Sequence, residues 1–190
     1  MGYQFDFGAQ SQYLGLLLSG TAVTLCLTAV ASCFGLAIAV AGAAASTSKS
    51  RLARGLVATY VELIRNTPFI VQMFFIFFGL PSLGLRLAAL PAAVLAMTIN
   101  LAAYAIEILR AGIEAVPAGQ NEAGRSLGLR PTWVFGLLVL PQAVAIAYPA
   151  LVGQITITML ESAVVSQIAV VDLTHAVSYT HLTLPTKRIV

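Results

Sequence analysis

Four long apolar runs separated by short polar breaks organise this chain. The first, Leu14 to Ala45, contains no charged residue. At about 1.5 Å per helical residue it exceeds the roughly 30 Å hydrocarbon core of a bilayer, so the pattern predicts a helix that tilts or projects beyond it. It gives way to STSKSRLARG, a polar turn carrying Lys49, Arg51 and Arg54. The second run, Leu56 to Leu80, is interrupted by Glu62, Arg65, Asn66, Thr67 and Pro68. Pro68 lacks a backbone donor and disfavours helix at Thr67, so a break belongs there, with Phe69 to Leu80 at membrane depth and the preceding turns at the interface. Pro81 to Leu90 forms a short loop. The third run starts at Pro91, a residue suited to a helix's first turn, and reaches Leu109, with Glu107 near its end and Arg110 just beyond. The fourth extends from about Val134 to Leu160, with Pro141 and Pro149 as the positions where it would bend.

Composition turns this pattern into a fold class. The 190 residues are 59% hydrophobic and 9% charged, with a mean hydropathy of +0.92. Those values describe a polytopic, all-α membrane protein rather than a soluble domain. Its lipid partner is the bilayer itself. The net charge of +3 is small and its Lys and Arg residues lie beside apolar runs, which excludes nucleic acid as a partner. They report orientation instead: the segments 46–55 and 110–133 hold three each, residues 1–13 hold none and the 81–90 loop holds one. The positive-inside bias therefore places residues 1–13 outside and both basic loops in the cytoplasm, as alternation of four spans requires. Cys26 and Cys33 are about 10 Å apart on a helix, too far to bridge, and read as packing residues.

Between the third and fourth runs lies GQNEAGRSLGLRPTWVFGLLVLPQA, Gly119 to Ala143. Pro117 can open a short helix, Glu122 and Arg125 share one face of it at i,i+3, and Gly128 is a natural left-handed stop before a restart at Pro131. The result is a stiff helical knuckle presenting Leu127 and Leu129 beside charge, suited to a partner's groove.

The spacing Glu122, Ala123, Gly124, then Gly128, then Leu138 and Leu140-Pro141 resembles the EAA loop of ATP-binding-cassette (ABC) importer permeases, in which E-A-A is followed by G and then I-x-L-P at these intervals. Gly124 stands where that pattern has its second Ala, and Leu138 where it has Ile. YVELIRNTPFIVQMFF (Tyr60 to Phe75), AAYAIEILRAGIEAVPAGQ (Ala102 to Gln120) and LPQAVAIAYPALVGQ (Leu140 to Gln154) resemble the polar amino acid branch of the same family. The resemblance spans roughly residues 14 to 175. It implies a type I importer permease domain over 14–177, with the segment at about 110–133 docking on cytoplasmic ABC ATPase subunits through Glu122, Ala123, Gly124 and Gly128. It also implies a second permease subunit, identical or related, and an extracytoplasmic amino-acid-binding protein, all at a bacterial inner membrane. A fifth span is expected after Asp172-Leu173. The continuation HAVSYTHLTLPTKRIV holds no comparable apolar run, so the bundle is expected to lack its last span, and 178–190 is set aside as a non-native tail.

For the substrate pathway, Glu161 is the most informative residue. A carboxylate near Thr156, Thr158 and Ser162 costs about 2.5 to 3.5 kcal/mol against lipid, so it belongs in a protein interior or a water-filled path, where it suits a cationic group. The family pattern here reads Lys-Asp-Thr-Ser, whereas this chain has Leu160, Glu161, Ser162 and Ala163. Without the Lys, an arginine, lysine or histidine ligand is favoured. Asn100, mid-span, can bind polar groups or join helices, and Thr67 with Pro68 frees backbone groups that can line the path. Glu62 with Arg65 and Glu107 with Arg110 read as i,i+3 pairs that anchor span ends. No phosphate-cradling glycine loop, nucleophile elbow or metal-ligand spacing occurs, so no cofactor is expected and energy has to come from a partner. Two other readings remain open: an intramembrane enzyme using Glu161 or Glu107 as acid or base, and an ATP-independent channel.

Overall fold

A computed structural model describes residues 13–183, whose regular elements are all helical. Residues 1–12 of the expected external segment and 184–190 of the expected tail lie outside the described residues. Helix α1 spans Leu14–Ser46 and α2 Arg51–Arg65. Helix α3, Phe69–Phe74, continues through a π-helical stretch, Phe75–Gly79, and a 3-10 turn, Leu80–Leu83. Helix α4 is Ala89–Ala115, α5 is Ala118–Ser126, and α6, Pro131–Trp133, passes through a second π-helical stretch, Val134–Val139, into α7, Leu140–Val165. A 3-10 turn, Ser166–Ile168, leads to α8, Leu173–Thr183, which crosses the boundary expected at 178.

Among the described residues, three helices are long and apolar enough to span a bilayer: α1, α4 and the continuous Pro131–Ile168. The pair Arg51–Arg65 and Phe69–Leu83, bent by 103°, makes a fourth when taken together. Helix α4 is the centre of the bundle, and α1 and α7 pack on it through small residues. In lipid, apolar side chains gain little by meeting each other, so close backbone approach and dispersion do the work. The buried stripe of α1 is accordingly Gly20, Thr24, Leu27, Ala31, Gly35, Ala39 and Ala43. A Cβ added at Gly35 would meet Leu101 at 3.1 Å, and one at Gly42 would meet Ile106 at 2.5 Å. Both residue numbers rise together, so α1 and α4 run parallel. A Cβ at Gly112 would lie 2.7 Å from the Ala143 carbonyl oxygen, while Val165 shares an apolar cluster with Met97, so α7 runs antiparallel to both. The directions alternate as four spans require, and Lys49, Arg51, Arg54, Arg110, Arg125 and Arg130 gather at one end, called here the basic end.

Two boundaries differ from the sequence reading. Helix α4 continues past Leu109 to Ala115, because Arg110 bridges Glu107 and Glu114 one turn to either side and holds the exposed turn helical. It stops at Val116, whose extended ψ of 128° is what a following proline imposes. The loop expected at 110–133 is thereby reduced to the segment after Ala115. In the fourth span the irregularity is the π-helical stretch just before Pro141, as the other π-helical stretch precedes Pro81. A proline cannot donate to the carbonyl four residues back and its ring crowds that carbonyl, and a locally widened turn accommodates both effects.

The turn after α7 places Ala169 at φ 62°, a left-handed conformation that costs a residue with a Cβ roughly 1–2 kcal/mol. An Ala169→Gly variant is expected to melt at a higher temperature in detergent, since the relief exceeds glycine's added unfolded-state entropy of about 0.5–1 kcal/mol. Gly112→Val should melt well below the parent, because the neighbouring carbonyl cannot move aside as a side chain would. Parental melting of Gly112→Val would show that α4 and α7 do not meet there.

Candidate functional site

Two regions carry the residues singled out in the sequence. The first is the knuckle at the basic end. Pro117 caps α5, and the helix ends in a Schellman motif: the Gly128 N–H donates to the Arg125 carbonyl at 2.9 Å and the Leu129 N–H to the Gly124 carbonyl at 3.2 Å. Gly128 has φ 73°, the left-handed value this closure needs. Gly124 is the buried residue of α5, and a Cβ there would come within 2.9 Å of Val134 and 3.0 Å of Leu138. The glycine that departs from the E-A-A pattern therefore lets α5 lie directly on the start of the fourth span. That contact makes the knuckle continuous with a helix long enough to cross the membrane.

The outer face of the knuckle is open. Glu122, Ala123 and Arg125 are exposed, as are Leu127 at 77% and Trp133 at 57%. Glu122 takes part in neither of the two ion pairs among the described residues, Arg110–Glu107 and Arg110–Glu114, so the salt bridge that Glu122 and Arg125 could make on one helical face is not formed. Its carboxylate is available to a partner.

The second region lies midway along the bundle. One apolar cluster holds Ala92, Ala96, Met97 and Val165, and another holds Ala105, Ile106, Leu109, Ala147 and Leu151. In the interval between them, α4 contributes buried Asn100 and α7 buried Gln154, Thr158 and Ser162. The helix break supplies the rest. Gln72 Nε2 donates to the carbonyls of Ile64 and Thr67, both at 2.8 Å, while its Oε1 accepts from Asn100 Nδ2 at 3.3 Å. Tyr60 adds a hydroxyl donated to the Ile99 carbonyl at 2.6 Å. Thus Thr67, Pro68 and Asn100 are brought together, and the group that joins them is a glutamine the sequence reading passed over. Its signal was present: a lone amide four residues after the helix-breaking proline in an otherwise apolar run.

Among the polar atoms shielded from solvent and without a hydrogen-bond partner, Thr98 Oγ1 and Asn100 Oδ1 lie on α4 and Thr158 Oγ1 and Glu161 Oε2 on α7. Unpaired polar groups in a bundle interior are costly, and such a set on two helices packed against each other is chemically suited to a polar, cationic guest. Gln154 stands two turns before Glu161 on α7 and extends the same polar stripe. Thr156, expected beside Glu161, instead faces outward and donates to its own helix at the Val152 carbonyl. Glu62 and Arg65 do not form the expected i,i+3 pair, because Arg65 lies over the Tyr104 ring of α4, 5.4 Å from its centroid. No group of three or more His, Cys, Asp or Glu residues able to hold a metal occurs among the described residues.

Residues 31–181 match the model of the family described as binding-protein-dependent transport system inner membrane component. The chain is 37% identical over 164 residues to the L-cystine transport system permease protein TcyB of Bacillus subtilis (strain 168), covering 86% of this chain and 70% of that one. To the arginine transport system permease protein ArtQ of the same organism it is 35% identical over 168 residues, covering 88% and 77%. A crystal structure of an amino acid ABC transporter with histidines superposes with a TM-score of 0.83 at 36% identity, covering 95% of this chain and 85% of the other. An inward-facing structure of the MetNI methionine ABC transporter shares the fold, with a TM-score of 0.69 at 20% identity, covering 89% of each chain.

The Gln72 linkage is testable. Gln72→Leu strands the Thr67 carbonyl and the Asn100 amide and leaves the Ile64 carbonyl only its bond from the Thr67 N–H, and is expected to cost about 2–3 kcal/mol, read as a lower melting temperature in detergent. Adding Asn100→Leu should recover part of that loss, because the stranded amide is removed with its partner. Fully additive losses would show that the two side chains are not coupled.

Proposed function

The chain belongs to the family of inner-membrane components of binding-protein-dependent transport systems, and from that premise we propose that it is the transmembrane subunit of an ATP-driven importer of polar, chiefly basic, amino acids. As a member of that family it is a multi-pass permease subunit, a transport component. The finer reading has residues 1–13 outside and the basic end in the cytoplasm. There the α5 knuckle, carrying Glu122, Ala123, Gly124 and Gly128, docks on an ABC ATPase subunit. A second permease subunit completes the assembly, and an extracytoplasmic binding protein delivers the amino acid.

The observation that carries this reading is the exposed, unpaired Glu122 on a short rigid helix seated through Gly124 on the start of the fourth span. A flexible loop would absorb the displacement of an ATPase, whereas a capped helix in van der Waals contact with a spanning helix passes it on. Neither an intramembrane enzyme nor a passive channel needs such a lever. For the substrate, the support is Glu161, with its enclosed oxygen and no cationic neighbour at Leu160. Relatives that carry arginine and L-cystine belong to the same family, and the missing Lys tips the choice toward a cationic side chain.

Glu122→Arg should abolish co-purification with the ATPase while leaving the permease folded; retained co-purification would remove the knuckle from the interface. Glu161→Gln should reduce uptake of arginine by roughly tenfold or more, the loss of one charge-assisted hydrogen bond, and uptake of glutamine far less. Equal losses for both would take Glu161 out of the pocket.

A further inference from the structure

Between α2 and the second half of α4 lies a cleft of about 610 Å³ whose walls carry both signs of charge. Helix α2 is strongly two-faced. Leu52, Leu56 and Leu63 are exposed on its outer side, while Arg54, Glu62 and Arg65 line the cleft. All three charges are exposed on the walls of an open cleft, on the side of α2 away from its leucines, where water reaches them.

The charges in the cleft are unequally engaged. Arg110 binds both Glu107 and Glu114, a trio that keeps one net negative charge. Arg65 lies over the Tyr104 ring, a cation–π contact that leaves its charge in place. Arg54 donates to the Ser48 carbonyl at 3.2 Å, and neither it nor Glu62 forms an ion pair. Two guanidinium groups and one carboxylate are left to face the same space. A free amino acid carries the complementary set, one carboxylate and one ammonium.

The position of the cleft gives this chemistry a role. Its mouth includes Ser46 and Arg54 at the basic end, and its far end reaches Asn66, beside the break whose carbonyls Gln72 ties to Asn100. It therefore runs from the basic end of the bundle to the helix break that borders the polar mid-section. We propose that this cleft is the inner half of the substrate path, a vestibule in which Arg65 and Arg54 receive the α-carboxylate of a released amino acid and Glu62 its α-ammonium. This rests on the importer reading above and deepens it. Selection by side chain occurs at Glu161, and the vestibule reads only the groups that all amino acids share.

The test uses the complete transporter, with ATPase subunits and binding protein, in proteoliposomes supplied with arginine or glutamine. In Arg65→Ala and Glu62→Gln, ATP hydrolysis stimulated by the loaded binding protein should persist while uptake per ATP falls about tenfold for whichever of the two amino acids the wild type carries. Arg65→Lys should recover part of the uptake. As an independent measure, Ala58→Cys in a Cys26→Ser/Cys33→Ser background should be modified by a membrane-impermeant thiol reagent from the cytoplasmic side, several-fold more slowly when millimolar arginine or glutamine is present there. Unchanged uptake in both variants, or Ala58→Cys labelling indifferent to both amino acids, would overturn the vestibule. A wild-type complex that moves no amino acid with ATP would instead overturn the importer reading.

Discussion

A side-chain amide holds this bundle together at its weakest point. At Asn66–Pro68 the second span breaks and bends by 103°, which would leave the Thr67 carbonyl bare inside a membrane protein. Gln72 reaches back to cover the carbonyls of Ile64 and Thr67 and, with its remaining oxygen, takes the Asn100 amide of the central helix. Because of that one side chain, the break becomes a fixed corner. The corner lets α2 lean on α4, with Arg65 over the Tyr104 ring, and it places polar groups in the middle of an otherwise apolar core.

The rest of the bundle is built for stiffness. Helix α4 is lined by alanines and Gly112, and α1 meets it with Gly35 and Gly42, so that α1 and α7 approach it closely, and close approach in lipid is where the packing energy lies. The stiffness extends to the knuckle because Gly124 leaves room for Val134 and Leu138 to sit against α5. A displacement at the exposed face of α5 therefore reaches α7, and α7 carries Gln154, Thr158 and Glu161. The lever rests on the same continuous helix, Pro131–Ile168, that carries the polar mid-section.

Much of this was legible in the sequence, for identifiable reasons. The four apolar runs, the break before Pro68 and the α5–Gly128–Pro131 knuckle follow from strong local rules: span length, the missing proline donor and the left-handed preference of glycine. What stayed hidden depends on contacts between helices. The i,i+3 spacing pairs Arg65 with Glu62 on the same helix, but the Tyr104 ring of α4 captures it. The end of α4 was placed at Leu109, where hydrophobicity fades, yet the Arg110 bridges carry the helix to Ala115. Gln72 was overlooked because one amide in FIVQMFF resembles a tolerated polar residue until the carbonyls it covers are seen.

The central claim is that a rigid knuckle projects from the bundle on the cytoplasmic side and is gripped there by a motor subunit. Labelling of an Arg125→Cys variant, in a Cys26→Ser/Cys33→Ser background, by a membrane-impermeant thiol reagent tests it most directly. The account predicts modification in inside-out vesicles, suppressed when the ATPase is bound, and none in cells whose inner membrane is intact with the reagent admitted only to its outer face. Modification from that outer face would contradict it.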